Sequence, residues 1–144
     1  MSPETIFKIL NLIALAGWLT LIASNWLNRL EKVVISGIIT MLAIAYTYLI
    51  FSNFHASDLQ SFSTLAGVKQ LFGNENLLLA GWVHFLAFDL LADCFIVKNA
   101  RTNSITFWLI LPCLFLTFML GPFGLLLYFL TRWMITKNYF TPNF

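Results

Sequence analysis

The chain has 144 residues, 60% of them hydrophobic and 10% charged, with a formal net charge of +2. Soluble domains carry roughly a quarter charged residues, so one small water-soluble domain is excluded: it could not hide this much apolar surface. The few Lys and Arg are scattered, which excludes the basic face that a nucleic-acid partner requires.

In chain order, one lysine, Lys8, precedes an apolar run longer than the roughly 7–15 residues of a signal-peptide core, so the run reads as a retained first helix. A second uncharged run follows the polar turn Asn28-Arg29-Leu30-Glu31-Lys32 and makes a helical hairpin with the first. Between Asn53 and Asn76 lies the one long connection, where Phe62, Leu65, Ala66, Leu71 and Phe72 recur at roughly helical spacing and predict a short interfacial or re-entrant helix. A third run ends at Lys98, and a fourth extends from Thr102 to Thr131. The fourth contains Pro112 and Gly121-Pro122-Phe123-Gly124, so a kink or break is expected near each, the second above all.

A helix needs about 20 apolar residues to cross a hydrocarbon core of roughly 30 Å. The expected fold is therefore an all-α membrane protein, a single domain forming a four-transmembrane-helix bundle with spans over residues 6–28, 33–54, 77–97 and 105–131. The bilayer is its first partner, and a homo-oligomer is a further expectation. Four spans place both termini on the side of the long connection, with Lys8, Lys69, Arg132 and Lys137; Arg29, Lys32, Lys98 and Arg101 fall on the other side. That tie leaves orientation undecided by the positive-inside rule. Trp18, Trp26, Trp82, Trp108 and Trp133 lie mostly toward span ends, as an aromatic belt would.

Cys94 and Cys113 sit in apolar runs without metal-ligand or disulfide spacing. The informative polar groups are Asp89 and Asp93 in the third span, with His84 before them. An aspartate at a helix centre costs about 2.5–3.5 kcal/mol on insertion scales, whereas each Leu or Phe returns only about 0.3–0.6. Asp89 lies near the midplane without a base at its depth, so it is expected to be either protonated or hydrogen-bonded to polar groups such as Thr20, Thr40, Tyr46 or Thr117. Asp93 lies nearer Lys98, Arg29 and Lys32, where an ion pair is the expectation. At 100° per residue Asp89 and Asp93 share a face and His84 points about 140° from Asp89, so this helix alone makes no metal site, and no cofactor is indicated.

Phe62-Ser63-Thr64-Leu65-Ala66-Gly67-Val68, Leu79-Ala80-Gly81-Trp82-Val83-His84-Phe85-Leu86-Ala87-Phe88-Asp89-Leu90, Leu111-Pro112-Cys113 and Leu120-Gly121-Pro122-Phe123-Gly124-Leu125-Leu126 together resemble the abscisic-acid-deficient (ABA) family of membrane proteins. Ala16-Gly17-Trp18 is a weaker match, and Asp93 departs from the motif, where a small residue is expected. In plants the family includes the protein needed to make neoxanthin from violaxanthin. The resemblance thus implies a carotenoid or other isoprenoid ligand, a bacterial-type homologue in an inner membrane, and acid–base isomerisation without net redox change. It points to Asp89 as acid and His84 as base, with Trp82, Phe85, Phe88 and Trp18 as the aromatic residues that would line a substrate. The alternative is a non-enzymatic membrane protein that binds a carotenoid, a lipid or a partner subunit.

Overall fold

The computed structural model describes residues 1–25 and 30–138, and these are all helix and connection, without strands. Three helices are long and apolar enough to cross a membrane: α1 (Pro3–Ala23), α2 (Leu30–Asn53) and, after a shorter helix, α4 (Glu75–Thr102). Ser2 caps α1 by accepting from the Thr5 N–H (3.3 Å), and Pro3 fills the first turn, where no N–H is needed. Leu10, Ala14, Gly17 and Leu21 form its buried stripe, at helical spacing. Gly17 matters because a Cβ there would lie 3.1 Å from Ile38 Cγ2 and 3.2 Å from Leu90 Cδ1; its absence lets α1, α2 and α4 close on one another.

In α2 the segment Val34–Ile39 is π-helical, one residue wider per turn than the helix around it, and the Thr40 hydroxyl donates to the Ile35 carbonyl five residues back (3.1 Å). The long connection holds a 3-10 segment (Ala56–Ser63) and the expected short helix, α3 (Leu65–Leu71). Thr64 caps α3 through the Gly67 N–H (3.1 Å), and Ser61 backbone packs where a Gly67 side chain would be. Leu59, Phe62 and Leu65 are left exposed on this unit, which suits a membrane surface.

α4 is the central helix. Asn74 caps it by accepting from the Asn76 and Leu77 N–H groups (2.9 and 3.3 Å). It is buried on more than one side, with Leu79, Val83, Leu86 and Leu90 facing α1 and α2, and Ile96, Val97 and Ala100 facing the C-terminal third of the chain.

The fourth apolar run departs from the expected single span over 105–131. It forms two helices, α5 (Phe107–Leu120) and α6 (Pro122–Thr136), and they fold back on each other. Gly121 makes the reversal with φ 52°, in the region that glycine tolerates, and donates its N–H to Thr117 (2.7 Å). Pro122 then supplies a first turn without a spare donor. Gly124 packs directly against the Cys113 carbonyl and the Thr117 backbone, two to three turns back along α5, and Tyr128 shares a core with Ile105 and Ile110. Such contacts require an antiparallel hairpin, because a continuous helix would hold these residues far apart. At about 1.5 Å per residue each arm is roughly 21–22 Å long, short of a roughly 30 Å crossing. Pro112, by contrast, sits inside α5 without ending it.

The hairpin therefore enters and leaves at one end of the bundle. Arg101 of α4 pairs with Glu31 of α2 (3.2 Å) and donates to the Ser24 carbonyl at the end of α1, while Tyr128 of α6 donates to Asn99 of α4 (2.6 Å), so all these termini gather at one end. Outward, Leu12, Ile44, Phe51, Phe85, Trp108 and Phe115 are exposed, an apolar exterior that only a hydrocarbon surround accommodates.

Candidate functional site

Asp89 lies at the middle of α4, roughly 21 Å from its first residue at about 1.5 Å per residue. The hairpin is long enough for its tip to reach that depth, and the tip meets Asp89: a Cβ on Gly121 would lie 2.9 Å from Asp89 Oδ1. The half-buried carboxyl thus faces the turn at the first residues of α6, whose helix dipole favours negative charge there. The hydrogen bonds expected from neighbouring threonines do not form. Thr20, Thr40 and Thr117 donate instead to the carbonyls of Ala16, Ile35 and Cys113 in their own helices (2.7, 3.1 and 2.8 Å), the usual way a hydroxyl is satisfied where water is absent.

Asp93, one turn further along α4, is fully buried, and neither carboxylate oxygen has a hydrogen-bond partner among the described residues. The expected pairing with Lys98 or Lys32 is absent, since both lysines are exposed, and Arg29 lies outside the described residues. α4 turns Asp93 inward against α5 and Lys98 outward, so the separation follows from helical phase.

His84 faces away from Asp89, as its angle on the helix requires. Its ring stacks on Phe88 (centroids 4.5 Å apart, planes at 28°) and meets Phe85 and Tyr46 at 5.9 and 5.7 Å. Trp82 turns toward α1, donating to Asn11 Oδ1 (3.2 Å) and packing on Phe7. Trp18 packs on Phe118 and Phe115 and donates to the Leu114 carbonyl (3.3 Å). The structure gathers His84, Phe85 and Phe88 into one aromatic patch; Trp82 and Trp18 belong to separate helix contacts.

Beside this patch runs a cleft of about 580 Å³ between α2, α4 and α6. Phe88, Leu91, Ala92 and Phe95 form its floor, with Ile35 on one wall and Leu125 and Phe129 on the other. Of the aromatic residues expected to line a ligand, only Phe88 does so. His84 stacks on Phe88, the lining residue at the inner end of the cleft, and Asp89 follows Phe88 in sequence, about 100° around the helix; neither is itself a lining residue. Gly121, in contact with Asp89, lies one turn before Leu125 in the wall. The cleft was not legible in the sequence, because it depends on the hairpin; the α4 stripe 88, 91, 92, 95 was its only trace.

A family model for ABA4-like proteins, described as ABA DEFICIENT 4-like, matches residues 5–128. The chain belongs to this family. The match runs from the first turn of α1 to the first half of α6, so the hairpin turn, the mid-helix aspartate and the cleft apart from Phe129 fall inside the family region of a membrane protein with several apolar helices. No curated protein and no solved structure matches the chain.

Proposed function

We propose that this ABA4-like protein is an acid–base isomerase of a carotenoid or other isoprenoid lipid, held in the cleft with its reacting end between Asp89 and His84. The observation that carries the reading is the position of Asp89: a carboxyl at mid-helix depth, set against the hairpin tip and one residue along α4 from Phe88, which lines the inner end of an apolar cleft. Opening an epoxide requires a proton on oxygen as the C–O bond breaks, and removal of a vinylic proton whose electron pair becomes the new double bond. Asp89 supplies the first and His84 takes the second, with no net redox change. Donor and acceptor act on different atoms of one substrate, so their placement on two sides of Phe88 suits the task.

One observation favours a second reading, a carotenoid- or lipid-binding protein without turnover: neither His84 nor Asp89 itself lines the cleft. Pigment profiling in a violaxanthin-accumulating host separates the two. The wild type is expected to yield a new isomer, and Asp89→Asn and His84→Ala, at equal membrane levels, to lower it by about 10²-fold or more. Unchanged product in Asp89→Asn would remove the acid assignment; no new pigment from well-folded wild type would favour binding.

The same reading places the protein in a bacterial inner membrane and orients it. With a hairpin in place of a fourth span, Lys32, Lys98, Arg101, Arg132 and Lys137 lie at one end among the described residues, and Lys8 and Lys69 at the other. Five against two supports a cytoplasmic hairpin end by the positive-inside rule.

A further inference from the structure

The cleft has two chemically different ends. Toward the bundle centre its lining is apolar, whereas its outer end presents Lys98, Asn99 and Thr102. Two of these are already engaged: Asn99 Oδ1 accepts from Tyr128 and from Asn103 Nδ2 (2.6 and 3.2 Å), and the Thr102 hydroxyl donates to the Lys98 carbonyl (3.1 Å). Lys98 forms no ion pair among the described residues. Lys32, one turn before the wall residue Ile35, is likewise exposed and without one. The acid that could neutralise them, Glu31, is held by Arg101 at 3.2 Å. Among the described residues, therefore, the mouth carries positive charge without an ion pair, above an apolar channel.

The floor is a single stripe of α4 side chains, Phe88 to Thr102, so the channel is one chain wide and roughly 21 Å long at about 1.5 Å per residue. Its 580 Å³ falls in the range of small-molecule sites, about 300–1,000 Å³.

We infer that the cleft binds a single-chain isoprenoid with an anionic end group, the anion on Lys98 at the mouth and the chain running inward past Phe95 and Leu91 to Phe88. The isoprenoid nature of the chain rests on the proposed function; the charge of its head does not, and neither depends on turnover.

The probes are all-trans-retinoic acid and retinol, which share a chain and differ at the head, used at alkaline pH so that the acid is ionised. Native mass spectrometry of the full chain released from detergent micelles counts each bound retinoid. One retinoate per chain is expected, about tenfold tighter than retinol, the scale of one hydrogen bond to a charged group. Lys98→Gln should reduce that preference to near unity, Lys98→Arg should keep it, and Ala92→Trp, which fills the channel, should abolish binding of both. Equal affinity for acid and alcohol, a preference that survives Lys98→Gln, or retention of ligand by Ala92→Trp would each overturn the inference. Displacement of retinoate by phosphatidylglycerol but not by phosphatidylcholine would overturn the single-chain occupant in favour of a bilayer lipid. A failed pigment assay alongside intact retinoate selectivity would remove the isomerase and leave this site standing.

Discussion

Around α1, α2 and the first half of α4 the core is assembled from side chains such as Leu10, Ala14, Leu42, Val83 and Leu90, whereas around the hairpin it includes Asp93, Asn99, Thr117 and Arg132. Among the described residues Ser24 is the one buried polar side chain of the first half, and it lies at a helix end. Full-length spans need only apolar packing, because their backbones are satisfied within each helix. A hairpin that folds back on itself brings a helix break beside the middle of α4, with Asp93 and Thr117 about one turn from it and Asn99 and Arg132 at its base. The candidate chemistry sits at this seam, on the one helix shared by both halves.

Glycine substitutions give the sharpest test of that contrast. Gly124→Ala should destabilise by about 3 kcal/mol or more, because its methyl would meet the Cys113 carbonyl and Thr117 backbone, which cannot move aside as a side chain can. Gly17→Ala in the first half should cost about 1 kcal/mol, since the neighbours are the side-chain atoms of Ile38 and Leu90. Thermal unfolding in detergent checks both, and equal shifts would show that the hairpin is no tighter than the spans.

Asp93 offers a change of opposite sign. Asp93→Leu removes a buried carboxyl that lacks a partner among the described residues, so a gain of about 1–3 kcal/mol is expected. A large loss of stability would instead mean that Asp93 supports its half of the core through a bound water or ion. The smallest effect belongs to Tyr128→Phe, which deletes the 2.6 Å bond to Asn99 while Asn103 still donates to that oxygen. About 1 kcal/mol is expected in the same unfolding assay; no change would detach Tyr128 from the polar group at that end.

Topology separates the halves without any stability measurement. If α1, α2 and α4 each cross and the hairpin re-enters, as proposed above, reporters fused to the two termini should give opposite answers, the C-terminus cytoplasmic and the N-terminus outside. Reporters on the same face would restore a fourth crossing and dissolve the distinction.

The first half was legible because charges bracket the apolar runs and hydropathy measures length: Lys32 and Glu75 lie in the first turns of α2 and α4, although α4 runs past Lys98, where the third run was expected to end, to Thr102. The second half was not, because hydropathy cannot distinguish one long crossing from two short arms of the same composition. Signals were present in the length of the run from Thr102 to Thr131, generous for one crossing, and in two glycines flanking Pro122-Phe123. Arg132, which looks like a boundary charge in the sequence, is buried. At the site, the divergence of His84 from Asp89 followed from helical angle alone. The hydroxyl partners of Asp89 did not, since a threonine's choice between its own backbone and a neighbour is a matter of tertiary detail.

The π-helical segment Val34–Ile39 has a different kind of consequence. Such a segment holds one residue more than an α-helix of equal rise, so removing one residue there restores ordinary helix while leaving the parts above and below in register. Elsewhere in α2 a deletion rotates every following side chain by 100° and turns its core face toward lipid. The chain therefore carries one site where its length can change cheaply, directly beside Ile35 at the wall of the cleft.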